Sequence, residues 1–168
     1  MQEILVIDTS ILCVWLDVPG KEICGEAGNL WDKERVKRVL DKEKRKGTRF
    51  VLPLAVIIET GNHIAQSQNS WDCANALCDI IKQSIDSASP WIAFSQQDVL
   101  WKPENLRRLA NEWPDYAKAK MSFGDMTIKT VADFYAEARY NVQILTGDAG
   151  LKAYEPVTVQ LIPRRHRT

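Results

Sequence analysis

A chain of 168 residues with 22 basic and 22 acidic side chains, 45% hydrophobic and 26% charged, has the size and make-up of one compact domain. A net charge of zero neither demands nor excludes a nucleic-acid partner, and no stretch approaches the roughly 20 consecutive apolar residues of a membrane span. Met1-Gln2-Glu3 lacks the basic start of a secretory signal, so the expectation is a cytoplasmic protein with no membrane association.

The chain opens on Ile4-Leu5-Val6-Ile7, an apolar run without alternation, and stops on Asp8-Thr9-Ser10. Such a run predicts a strand covered on both faces, as in a parallel sheet. In open α/β sheets ligands bind beyond the carboxyl edge, which places Asp8 where chemistry is usual. Asp-Thr-Ser is also good N-cap material for a helix beginning near Ile11.

Asp17-Val18-Pro19-Gly20 then signals a turn, and residues 17–30 read as a loop. From Trp31 to Lys46, the spacing of Val36, Val39 and Leu40 predicts a helix with a narrow apolar stripe. Between Lys33 and Arg49, nine basic residues face three acids, a local excess of six that fits either a solvated helix face or a phosphate-binding patch.

Phe50 to Leu54 reads as a second buried strand leading into a helix, in which Glu59 follows the apolar Val56, Ile57 and Ile58. Glu59 then faces either a polar cleft or solvent. A helix over residues 71–86, a candidate strand at Trp91 to Phe94, and a helix interrupted near Pro103 and ending at Trp113-Pro114-Asp115 come next.

Ser122 and Asp125 have the S-x-x-D spacing of a reciprocal N-terminal cap, continued by a helical stripe to about Tyr140. A first-turn carboxylate is also kept ionised by the helix dipole, so capping does not exclude metal ligation. Val142 to Leu145 is a further strand ending on Thr146-Gly147-Asp148, which repeats the opening design. Residues 157–162 read as a last strand and 163–168 as a basic tail with Arg164, Arg165 and Arg167.

Cys13, Cys24, Cys73 and Cys78 have no metal-knuckle or redox spacing and read as reduced thiols. Alternation of strands and helices predicts a mainly parallel sheet with Asp8 and Asp148 at one edge. Asp125 and Glu59 lie early in helices near that edge, and hard oxygen donors favour Mg²⁺ or Mn²⁺ over zinc.

The segments ILVIDTSIL, PLAVIIETGNHI, FGDMTIKTVADFYAEA and VQILTGDAGL, around Asp8, Glu59, Asp125 and Asp148, resemble the four acidic motifs of the PIN-domain ribonucleases, a family that includes the VapC-type toxins of toxin-antitoxin pairs. The resemblance spans the chain, although residues 17–49 and 95–121 are longer than in a minimal domain of this kind. It implies a three-layer α/β/α PIN-like fold with a central, mainly parallel five-stranded sheet over residues 1–162. It further implies a metal-dependent endoribonuclease, with one or two Mg²⁺ or Mn²⁺ ions held by Asp8, Asp125 and Asp148 and with Glu59 completing the site.

Ser10 and Thr146 then orient carboxylates in the site or simply cap helices. Lys42, Lys44 and Arg45 are candidate contacts to the RNA backbone. The expected partners are single-stranded or structured RNA, an antitoxin protein and a second copy of the chain. A catalytically idle PIN-like scaffold binding RNA or protein is the alternative. A phosphoacceptor receiver domain fits less well, because it wants adjacent acids after the first strand and the chain has Asp8-Thr9.

Overall fold

The computed structural model describes residues 1–157 as seven α-helices, one 3-10 helix and three β-strands. Strand β1 (Glu3–Ile7) lies between β2 (Arg49–Val51) and β3 (Asn141–Leu145), and both pairings are parallel. The central place explains the opening run: Ile4, Leu5, Val6 and Ile7 are all buried, as a strand with neighbours on both faces requires. Ile7 pairs with Leu145, and the Asp8 N–H donates to the Leu145 carbonyl at 3.0 Å, so the ends of β1 and β3 are joined up to the sheet edge.

Helix α1 (Thr9–Trp15) leaves that edge directly, with Asp8 as its N-cap. Helix α2 (Lys33–Arg45) is capped by Asp32, which accepts the Arg35 N–H at 2.8 Å. Lys42, Lys44 and Arg45 fill its last turn, where cations complement the helix dipole. Then come α3 (Leu54–Ala65), α4 (Ser70–Ile85), the 3-10 helix Phe94–Trp101, α5 (Pro103–Lys118), α6 (Phe123–Glu137) and α7 (Ala149–Lys152). Helix α6 packs on β1 and β3, while α3 packs against α1, α4 and α6. The main core joins the sheet to α1, α3 and α6, and a small satellite core of Leu109, Met121 and Met126 lies between α5 and α6.

Three strands replace the expected five among the described residues. Trp91 forms only an isolated bridge with Phe50, because Phe94 already opens the 3-10 helix. β2 stops at three residues since Pro53 cannot donate to a ladder; its extended φ of −66° instead starts α3. Residues 158–162 of the expected last strand, and the tail with Arg164, Arg165 and Arg167, lie outside the described residues.

Pro114 does not end its helix but sits inside α5. The carbonyl it leaves without a helical donor is that of Ala110, and both residues are exposed, so water can serve it. On either side of Pro114, Trp113 donates its Nε1–H to the Met121 carbonyl at 3.2 Å and Tyr116 packs on the satellite core, which holds the helix together across the proline. Among the described residues no helix is long and apolar enough to cross a membrane.

Candidate functional site

The carboxyl edge of β1 and β3 opens into a cavity of about 330 Å³ lined by Asp8, Glu59, Asp125 and Asp148. The acids come from four separate segments, brought together by sheet pairing and by the packing of α3 on α1 and α6. Asp8 is 5% exposed, whereas Glu59 and Asp125 are half-buried and Asp148 is exposed.

Each acid is oriented through one of its two oxygens. Asp8 Oδ2 accepts from the Ser10 hydroxyl at 2.6 Å, from the Thr146 hydroxyl at 2.8 Å and weakly from the Ser10 N–H at 3.4 Å. Glu59 Oε2 accepts from the Thr9 hydroxyl at 2.8 Å. Asp125 Oδ2 accepts from the Ser122 hydroxyl at 2.7 Å and its N–H at 3.3 Å, while the Asp125 N–H donates to Ser122 Oγ at 3.0 Å, so the reciprocal cap forms as its spacing predicts. Asp148 Oδ1 accepts the Gly150 N–H at 2.6 Å and the Leu151 N–H at 3.3 Å as the N-cap of α7. Among the described residues the second oxygens of Glu59, Asp125 and Asp148 meet no hydrogen-bond donor.

The same contacts place Ser10 and Thr146, and neither caps a helix as the sequence allowed, since the N-caps of α1 and α7 are Asp8 and Asp148. The Ser10 hydroxyl accepts the Gly147 N–H at 3.1 Å and the Thr146 hydroxyl accepts the Asp148 N–H at 2.9 Å, so each bridges the end of β3 to Asp8. One glycine is required by close approach, and a second lies against Glu59. A Cβ on Gly124 would overlap the Glu59 carboxylate, and one on Gly147 would lie 2.6 Å from Cys24 Sγ and 2.9 Å from the Gly25 nitrogen.

Burial pushes the Asp8 carboxyl above the usual carboxylate range, and the nearby Asp125 charge pushes the same way. The hydroxyls of Ser10 and Thr146 and the Thr9 amide pull against that rise by stabilising the ionised form. Cys13 and Cys24 line the cavity too; burial pushes the Cys13 thiol up to about 11 and raises Cys24, so both are protonated thiols near neutral pH.

Thr9, Lys21, Ile23, Cys13, Cys24 and His63 complete the lining together with Ser10. Thr9 was detectable only as a hydroxyl beside Asp8, and nothing in the local sequence marks Lys21. Lys42, Lys44 and Arg45 do not line this cavity. Of the nine cations around α2, four are committed within the chain. Lys33 pairs with Asp17, Lys46 with Glu43, Arg35 stacks on Trp31 and donates to Leu30 and Asn29, and Arg49 donates to Pro90 and Trp91.

A set of carboxylate oxygens suits a hard divalent cation in donor type. In spacing the match is partial: the acids share one cavity, but among the described residues no group of three or more His, Cys, Asp or Glu side chains is arranged to hold an ion. No family model, no curated protein and no solved structure matches the chain.

Proposed function

We propose that the chain is a metal-dependent ribonuclease, hydrolysing RNA phosphodiester bonds in the cavity at the sheet edge. The observation that carries this reading is the pattern of the four acids, each oriented by hydrogen bonds and all lining one cavity at the sheet edge. A purely structural cap or buried acid has no need of three others around a common space, since like charges raise one another's free energy.

Asp8, Asp125 and Asp148, with Glu59, would hold one or two Mg²⁺ or Mn²⁺ ions. When bound, such a cation polarises a phosphoryl oxygen, promotes deprotonation of the attacking water and offsets charge on the leaving oxygen. The chain's own residues fix the frame. Ser10 and Thr146 hold the Asp8 carboxylate against rotation, Thr9 holds Glu59, and Ser122 holds Asp125.

The parallel order β2-β1-β3, with acids at the ends of β1 and β3, in the second turn of α3 and in the first turn of α6, supports the PIN-like assignment. Membership of a toxin-antitoxin pair, with a small antitoxin and a second copy of the chain as partners, is the biological setting that the resemblance suggests. The five uncommitted cations around α2 (Lys37, Arg38, Lys42, Lys44 and Arg45) supply a backbone-binding face away from the acids.

The test is cleavage of single-stranded RNA, structured RNA and DNA with Mg²⁺ or Mn²⁺, comparing the wild type with Asp8→Asn and Asp125→Asn. Cation-dependent RNA cleavage lost in both variants is expected. Equal activity in all three proteins would sink the reading, and a folded wild type inert on every substrate would favour a non-catalytic scaffold.

A further inference from the structure

Four carboxylates around one space carry more negative charge than one divalent cation offsets, so a cationic side chain at the cavity favours entry of a phosphodiester. Lys21 is the one lysine or arginine among the residues lining the cavity. It lies in the loop after α1 and is exposed, and its charge is felt as far in as the buried Cys13 thiol.

The loop around Lys21 removes its competing partners. The Lys21 N–H donates to the Val18 carbonyl at 2.8 Å, closing a turn in which Gly20 has a φ of 81°. Glu22, the adjacent acid, turns its carboxylate back to accept the Gly20 N–H at 2.9 Å, and this backbone bond holds its pKa below the usual range. Asp17, at the start of the loop, is paired with Lys33 at the start of α2. Among the described residues the Lys21 ammonium therefore forms no ion pair, although it stands at an acidic cavity.

We propose that Lys21 binds a non-bridging oxygen of the RNA phosphodiester entering the cavity, and so sets substrate affinity at the acidic site. The ammonium donates to the phosphate oxygen as a point charge, with no proton lost and no bond made or broken. This assignment rests on the ribonuclease reading of the cavity, and its test separates the two.

The experiment compares the wild type with Lys21→Gln and Lys21→Arg in two arms. One arm is binding of a labelled single-stranded RNA of mixed sequence in EDTA across a salt series; the other is cleavage of the same RNA with Mn²⁺. Lys21→Gln is expected to weaken binding and raise KM about three- to tenfold, leaving kcat within about twofold. It should also reduce the slope of log affinity against log salt by about 0.7, the value for one phosphate contact on a single strand. Lys21→Arg keeps the charge and is expected to retain the slope.

Unchanged affinity and slope in Lys21→Gln, or a loss confined to kcat, would overturn the assignment. So would a wild type that binds no RNA. A wild type that binds RNA in a Lys21-dependent way but never cleaves it would keep the Lys21 contact and overturn the hydrolytic reading alone.

Discussion

The ends of β1 and β3 carry the same sequence design, an apolar strand followed by a hydroxyl residue and an aspartate, yet they produce two different carboxylates. Asp8 is buried, and its oriented oxygen takes hydrogen bonds from two side-chain hydroxyls, one of them 138 residues away in the chain. Asp148 is exposed and is held by two backbone amides of its own helix turn. The difference follows from position. β1 is central, so its end is enclosed by α1, α3 and the β3 turn, whereas in the order β2-β1-β3 the end of β3 has a strand on one side only. One aspartate is buried and tied to the opposite strand end; the other is exposed, its carboxylate tied only to its own helix turn among the described residues.

Activity of the two asparagine variants is the strongest way to break this comparison. Asp8→Asn is expected to lose at least about a hundredfold in cation-dependent RNA cleavage, beyond what removal of a merely orienting group costs, and Asp148→Asn about tenfold. Initial rates at saturating Mn²⁺ decide it, and equal losses would erase the distinction.

Thr146→Val attacks the hydroxyl that joins the two ends, since it removes a donor to Asp8 and an acceptor for the Asp148 amide together. A stability loss of about 1–3 kcal/mol in urea unfolding and a roughly tenfold loss of activity are expected. A neutral change would mean that the two ends are not coupled through it.

The smallest effect is in the pH dependence of stability. Folded Asp8 has a raised pKa, so the native chain holds its proton more tightly than the unfolded chain, whose carboxyl titrates near pH 3.9. The resulting stabilisation is present below that pH and is lost as pH rises through the folded value. In EDTA, the thermal midpoint of Asp8→Asn relative to the wild type should therefore rise from about pH 4 upward and level off once folded Asp8 is ionised. A constant difference across that range would show that Asp8 is not desolvated.

Local chemistry was legible wherever it is written in adjacent residues. The strand ending on Asp8, the reciprocal cap of Ser122 and Asp125, the helix around Val36 and Leu40 and the second strand ending near Asp148 all follow from short patterns of apolar spacing and capping. What depends on packing between distant segments was not. Trp91 to Phe94 has the composition of a strand, but whether it pairs along its length is decided by where the 3-10 helix begins. Pro114 ordinarily closes a helix, and only the satellite core reveals why α5 continues through it. Lys21, Cys24 and Thr9 reach the cavity because the Cys24–Trp31 bridge and the α1–α3 packing bring them there, and neither contact has a local signature.

The hydroxyls that hold Asp8 also tie it to the far end of the chain. Ser10 and Thr146 accept from the Gly147 and Asp148 amides and each shares a further hydrogen bond with Asp8 Oδ2, so the turn after β3 is wired to the buried carboxylate through two oxygens. If a cation binds as proposed, a proton competes with it for the Asp8 carboxylate, and the apparent affinity for Mn²⁺ should fall with decreasing pH.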